Sequence, residues 1–362
     1  MAAPQVLIVG CGLTGAVLSK LMSQMTVPIA LTIWDKARGA GGRMTTHRFG
    51  ASAVDMGAQY ISKGASPNEA LYSELLGAGV LQPFLGVIED DPSAAASRPS
   101  FVAPAGTSSI VRHFAAASGA SISFGKRVQR ERLRRWRAAG DAGGCGSFNA
   151  VVVTVPVPQA LQLTGDAAVL VGRHRRELEK VQYSSRYAMA AYYSGEAAAA
   201  ATAAVSALPW SAKYVASDDC LRYVSIESRK HAGWAPPDQP PPPVAAVPNG
   251  TPAAAAAADT AALAVEGPAL LLHTSVPYGL SKLEAPAAEV EADMLSSLGR
   301  QIPGLPAPTT TKLTKWRFSQ VRTPLEGRPG ALLLYGSSGR GGGGGGGDAF
   351  SGSAFDGCVV SA

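Results

Sequence analysis

The residues with the clearest chemical use stand close to the N-terminus. Gly10-Cys11-Gly12-Leu13-Thr14-Gly15 is a GxGxxG run. Its first glycine permits a tight turn and its second lets main chain approach a pyrophosphate. Its third lets a helix pack against a strand, with the helix N-terminus facing the phosphate charge. Asp35 lies 20 residues beyond Gly15, the spacing at which a carboxylate accepts hydrogen bonds from a ribose 2′-OH. The same carboxylate repels a 2′-phosphate, so the expected dinucleotide carries a plain adenosine ribose. This pattern alone does not separate FAD from NAD.

A glycine loop works only between the right elements. Gln5–Val9 is a continuous apolar run, the mark of a strand buried on both faces. A helix is expected over about 15–25 and a second strand over Ala30–Trp34, ending at Asp35. Further along, 107–118 reads as a helix, and 151–155, 270–276 and 332–335 read as apolar strands. Three regions read as insertions. The alanine tract 196–204 suits a helix or a loosened loop, and 234–267, rich in Pro and Ala, suits a solvated linker. The run 341–347 is seven consecutive glycines, whose ordering entropy needs outside support.

Composition narrows the class. The 362 residues are 46% hydrophobic and 16% charged, enough apolar material for a sizeable core and too much for wholesale disorder. A net charge of +6 allows attraction to anions such as phosphates. The four cysteines, Cys11, Cys145, Cys220 and Cys358, form neither a CxxC pair nor a zinc-ligand spacing, so reduced thiols in a reducing compartment are expected. No metal is expected, since His47, His113, His174 and His231 show no ligand spacing. Ser184-Ser185 lacks a nucleophile elbow. The basic segment 127–137, with Trp136, reads as a surface hairpin whose arginines are solvated rather than a nucleic-acid face. No leader, transit peptide or membrane span is read, so the expectation is a soluble, cytoplasmic protein.

The choice of cofactor rests on resemblance. Residues 38–46, RGAGGRMTT, resemble the second FAD motif of the flavin amine oxidase superfamily, RxGGRxxT. There a glycine pair lets main chain lie close to the cofactor and a forked arginine donor, here Arg43, neutralises a pyrophosphate. Residues 55–60, DMGAQY, resemble the strand and turn beside the flavin ring. Gly347-Asp348-Ala349-Phe350 and 354–359, AFDGCV, resemble the closing flavin motif, in which an Asp holds the ribityl or phosphate region and a helix N-terminus faces the flavin.

Longer blocks resemble one family, the renalases: WDKA (34–37), GGRMTT (41–46), DMGAQYI (55–61), FVAPAGTSSIVRHF (101–114), VPVPQALQLTGD (155–166), YSSRYA (183–188), RYVSI (222–226), LHTSVPYG (272–279), QIPGLPAP (301–308), KWRFSQV (315–321) and FDGCVVSA (355–362). The resemblance implies an α/β fold: a Rossmann-type, glutathione-reductase-like FAD domain, using 1–70, 105–165 and 316–362, and a mixed-sheet substrate domain, using 71–104 and 166–315. It implies non-covalent FAD and oxidation of 2- or 6-dihydroNAD(P) isomers to NAD(P)+, with O2 reduced to hydrogen peroxide.

Cofactor contacts carried over by the motifs are Gly10, Gly12, Thr14, Gly15, Asp35, Lys36, Gly42, Arg43, Gln59, Tyr60, Val128, Asp348, Phe355, Gly357 and Cys358. Val128 falls where superfamily members pair main chain with adenine. Pocket candidates are Tyr60, Tyr183, Arg186, Tyr187, His273, Trp316 and Arg317, with a satisfied core role as the default for His273. The partners implied are a small dihydronicotinamide and O2. Two departures stand out: the glycine run placed between the last strand and the Gly-Asp motif, and an end at Ala362 just inside the expected final helix. They keep open a vestigial protein that no longer retains FAD, beside a second alternative, an amine oxidase.

Overall fold

The computed structural model describes residues 2–65, 67–92, 94, 98–132, 136–140, 145–231, 267–335 and 342–346. The chain divides into two units, one built from Met1–Thr45, Ser108–Ser184 and Phe318–Ala362, the other from Thr46–Thr107 and Ser185–Arg317. The first break lies at 45/46 rather than near 70, because 46–55 folds as an antiparallel hairpin, Thr46–Phe49 with Ser52–Asp55, whose Val54 packs in a core of the second unit.

The first unit centres on a six-stranded sheet in the order Ala331–Tyr335, Gly342–Gly346, Ala150–Val153, Gln5–Val9, Ala30–Trp34, Ser121–Ser123. All neighbours are parallel except the first pair. Parallel strands need both faces covered, and Val6, Leu7, Ile8 and Val9 are all buried. Helices Leu13–Ser23 and Ser108–Ala117 pack on one another, with Ile110, Val111 and Phe114 at 0% exposure. The expected helix thus starts two residues earlier than read, directly after the glycine turn. A second sheet pairs Val128–Arg132 with Trp136–Gly140 in an antiparallel hairpin, as read for 127–137.

The glycine run departs from its expected role. Gly342–Gly346 is itself a strand, parallel to Ala150–Val153 on one side and antiparallel to Ala331–Tyr335 on the other. Main-chain ladders need no side chains, so two paired neighbours supply the support that Gly342–Gly346 would lack alone.

The second unit is built on a six-stranded sheet in the order Thr310–Trp316, Arg186–Tyr192, Ala269–Thr274, Leu221–Ile226, Ala212–Tyr214, Ile88–Glu89. It is mixed: antiparallel throughout except where Ile88–Glu89 joins in parallel. Strand alternation sorts Arg186–Tyr192 onto two faces. Tyr187, Met189 and Ala191 enter a core with Val290, Met294 and Leu298 of helix Ala287–Gln301 and Ala201 and Val205 of helix Glu196–Ser206. The alanine tract is therefore a helix, buried at every third or fourth residue. Ala188, Ala190 and Tyr192 face Val54, Met56 and Tyr223 on the other side. Among the described residues no helix is long and apolar enough to cross a membrane.

Candidate functional site

In the first unit the glycine loop has the geometry its spacing requires. Gly10 sits at φ +111°, a conformation open to glycine, and a Cβ on Gly15 would collide with the Gly10 carbonyl oxygen. A Cβ on Gly12 would meet nothing within 4 Å. Gly12 caps helix Leu13–Ser23 without any side-chain hydrogen bond, so the first turn keeps its N–H groups for an anion. Thr14 and Gly15 lie in that turn, both buried.

The sheet brings Asp35 to the same loop. Its Oδ2 accepts from the Cys11 N–H at 2.7 Å and its Oδ1 from the Ala37 N–H at 2.7 Å. Each oxygen keeps a lone pair that a ribose hydroxyl can use. The short helix Gly42–Met44 closes on the loop, where the Gly41 N–H donates to the Cys11 carbonyl at 3.0 Å. Arg43 donates from Nη1 to the Ser319 carbonyl at 3.3 Å. The Lys126 N–H bonds the Asp35 carbonyl, which sets Val128 two residues from the strand end. Burial, with Arg127 nearby, lowers the Lys36 pKa. Burial, reinforced by Asp35, pushes the Cys11 thiol up to about 12, so it stays protonated and acts as a filler. Gly10, Gly12, Thr14, Gly15, Asp35, Lys36, Gly42 and Arg43 thus gather where strands Gln5–Val9 and Ala30–Trp34 end, and Val128, on the second sheet, packs against Val9 and Trp34 there. A bare helix start, an open glycine and a strand-end carboxylate suit the pyrophosphate and ribose of a dinucleotide. Asp348, Phe355, Gly357 and Cys358 lie outside the described residues.

In the second unit, sheet register gathers another set. Arg186 pairs with Trp316, Ala188 with His273, His273 with Tyr223 and Tyr223 with Tyr214, so these side chains share a face. Tyr60 joins it: its hydroxyl lies 2.9 Å from that of Tyr214, and its ring stacks on Phe84 at 6.1 Å. Tyr214 meets Tyr223 edge-on at 5.1 Å, and Tyr223 lies 6.1 Å from the His273 ring. Burial pushes the Tyr223 hydroxyl well above the usual phenol range and holds His273 down to about 4, so both are neutral near pH 7.

Three pocket candidates fall elsewhere. Tyr187 is a correction: one residue after Arg186, it points to the opposite, helix-covered face, where its hydroxyl donates to the Lys282 carbonyl at 2.8 Å. Tyr183 belongs to the first unit; its hydroxyl accepts the Val157 N–H at 3.2 Å and its ring meets Phe318 edge-on. Arg317 forms an exposed ion pair with Glu284 at 2.7 Å.

The structure also shows a group that residue spacing had not singled out. Lys230, with no exposed side-chain surface, lies 2.8 Å from Glu227 and 3.2 Å from Asp55, themselves 1% exposed, and His231 lies 3.0 Å from Asp55. Burial alone would raise the Asp55 pKa, but Lys230 and His231 hold it well below the usual carboxylate range. Asp55, Glu227 and His231 offer ligand atoms within 4.8 Å of one another; the positive charge between the carboxylates is the Lys230 ammonium. The available signal was Glu227, Lys230 and His231 at i, i+3 and i+4, which shares one face of a helical turn.

Known proteins share the fold over nearly the whole chain. Residues 8–75 match the family model of an NAD(P)-binding Rossmann-like domain. Among solved structures, a candidate protoporphyrinogen oxidase from Exiguobacterium sp. 255-15 superposes with a TM-score of 0.67 at 11% identity, over 100% of this chain and 97% of that one. Putrescine oxidase bound to putrescine gives 0.61 at 12% identity, over 99% and 97%. At these identities the likeness is one of fold. The mouse (Mus musculus) renalase is 33% identical over 371 residues, spanning 99% of this chain and 96% of that protein. Identity at that level over nearly the full length of both chains exceeds what a shared fold requires, and this chain belongs to the renalase family.

Proposed function

We propose that this chain holds FAD non-covalently and oxidises dihydronicotinamide dinucleotides whose extra hydride sits at the 2 or 6 carbon of the ring. The products are NAD(P)+ and, with O2 as acceptor, hydrogen peroxide. The observation that carries the reading is full-length renalase similarity in a chain whose glycine loop is open at Gly12 and uncapped at the helix start. Gly10, Gly12, Thr14, Gly15, Asp35, Lys36, Gly42, Arg43 and Val128 would hold the dinucleotide part of the cofactor. When bound, the flavin supplies a two-electron acceptor that O2 can reoxidise.

The chain's own residues orient and shield. A dihydronicotinamide isomer is already a hydride donor, so the reaction needs placement more than proton transfer. The face bearing Tyr60, Tyr214, Tyr223, His273 and Trp316 suits that work. It offers flat aromatic walls, and its buried His273 and Tyr223 neither gain nor lose a proton between about pH 5 and 9.

The test is an anaerobic titration of the flavin spectrum with a mixture of 2- and 6-dihydroNAD isomers. Bleaching at near-stoichiometric isomer, with no response to amines, is the expected result. A yellow protein that ignores the isomers and bleaches with amines would replace this reading with amine oxidation. A protein that cannot take up FAD would leave the vestigial reading.

A further inference from the structure

The segment Asp55–Gly57 is held in an unusual way. Its three successive carbonyls all accept side-chain donors, the outer two from one residue and the middle one from two others. Gln59 Nε2 donates to the carbonyls of Asp55 and Gly57, the latter at 2.9 Å. The Met56 carbonyl accepts from Trp316 Nε1 at 2.8 Å and from His273 Nε2 at 3.2 Å. Because a carbonyl only accepts, His273 carries its proton on Nε2. Trp316 and His273, two members of the aromatic face, therefore use their polar atoms to grip this segment.

Gln59 is itself fixed from behind. Its Oε1 accepts from Lys230 Nζ at 3.2 Å. Ser225 Oγ lies 3.4 Å from the same oxygen, but its single proton goes to Glu227 Oε1 at 2.6 Å. Lys230 is thus the donor that sets the carboxamide. Its three ammonium protons meet three acceptors: Glu227, Asp55 and Gln59. Turning the carboxamide over would set N–H groups against the ammonium and oxygen against two carbonyls. With both its side-chain N–H groups committed inside the protein, the Gln59 carboxamide serves the site as a clasp.

We propose that Lys230 is a positioning residue for the aromatic substrate face, acting through Gln59 and the Asp55–Gly57 carbonyls on Trp316, His273 and the following Tyr60. The inference rests on the proposed function for the word substrate alone; the mechanical link is independent of it. Lys230 forms no hydrogen bond or ion pair with the face residues named, although its charge reaches His273. Its effect is to hold the segment they hold.

The experiment compares the FAD-loaded chain with Gln59→Leu and Lys230→Met, using both steady-state isomer oxidation and the 15N-indole resonance of Trp316, assigned with Trp316→Phe. The expected result in either variant is a shifted Trp316 resonance and a kcat lowered about tenfold, with KM changed by less than about threefold. A Trp316 resonance and a kcat both unchanged in Gln59→Leu would overturn the proposal, whatever happened to thermal stability. Should wild type fail to oxidise the isomers, the substrate reading falls while the resonance shift still decides the mechanical link. Should neither variant fold, 15N-glutamine labelling of wild type decides it. Both Gln59 carboxamide protons must be protected from solvent exchange, and rapid exchange would overturn the clasp.

Discussion

A buried titratable group ties stability to pH, and His273 and Asp55 do so over different ranges. Burial lowers the His273 pKa from 6.5 to about 4. Between those values the unfolded chain binds a proton that the folded chain refuses, so stability must fall as pH drops from 6.5 towards 4. His47, lowered chiefly by burial and secondarily by Lys312, acts in the same direction. Asp55 works lower down: its pKa is depressed from 3.8, so its stabilisation is complete above that value and is lost only as pH falls further. Thermal midpoints measured from pH 7.5 to 4.5 should therefore decline below about 6.5. The variant His273→Asn, which keeps a donor for the Met56 carbonyl, should flatten that decline, leaving the part due to His47. An unchanged slope would show that His273 is free to protonate in the folded protein.

Elements differ in how openly the sequence displays them. The apolar runs Gln5–Val9 and Ala30–Trp34 are legible because a parallel strand is buried on both faces and needs no alternation. The glycine loop between them is legible because its three glycines do separate jobs, and those jobs invite a test. Gly15→Ala should lower stability by roughly 1–3 kcal/mol through overpacking, since the new Cβ meets the Gly10 carbonyl oxygen, which the turn fixes in place. It should also weaken FAD retention, read as loss of the flavin band on gel filtration; a variant as yellow and as stable as wild type would mean the loop can shift. Less legible was Gly342–Gly346, since a strand without side chains carries no pattern at all and is defined only by its neighbours. Tyr187 was misread for a related reason: its block matches the family, yet only the two-residue period decides which face it serves.

At the scale of the whole molecule the chain alternates between its units, crossing at 45/46, 107/108, 184/185 and 317/318. That alternation hid the charged cluster from a linear reading, because Asp55 meets Glu227 across 172 residues of chain. It also makes a testable demand. Residues 185–317 are contiguous and carry five of the six strands of the second unit's sheet. The fragment nevertheless lacks Asp55, Gln59 and the hairpin that sets Val54 and Met56 on the sheet. Lys230 would lose two of its three acceptors, and the Met56 carbonyl would be gone from Trp316 and His273. Lys230 keeps only Glu227, and a buried ammonium that loses most of its partners costs several kcal/mol, comparable to the whole stability of a small domain. Expressed alone, 185–317 should therefore lack a cooperative urea transition by far-ultraviolet circular dichroism. Linking 46–107 to it should restore one, because that segment returns the carboxylate, the carboxamide and the apolar cover together. A fragment 185–317 that unfolds cooperatively by itself would show that the cluster adds little, and that the sheet and its helices hold this unit without the hairpin.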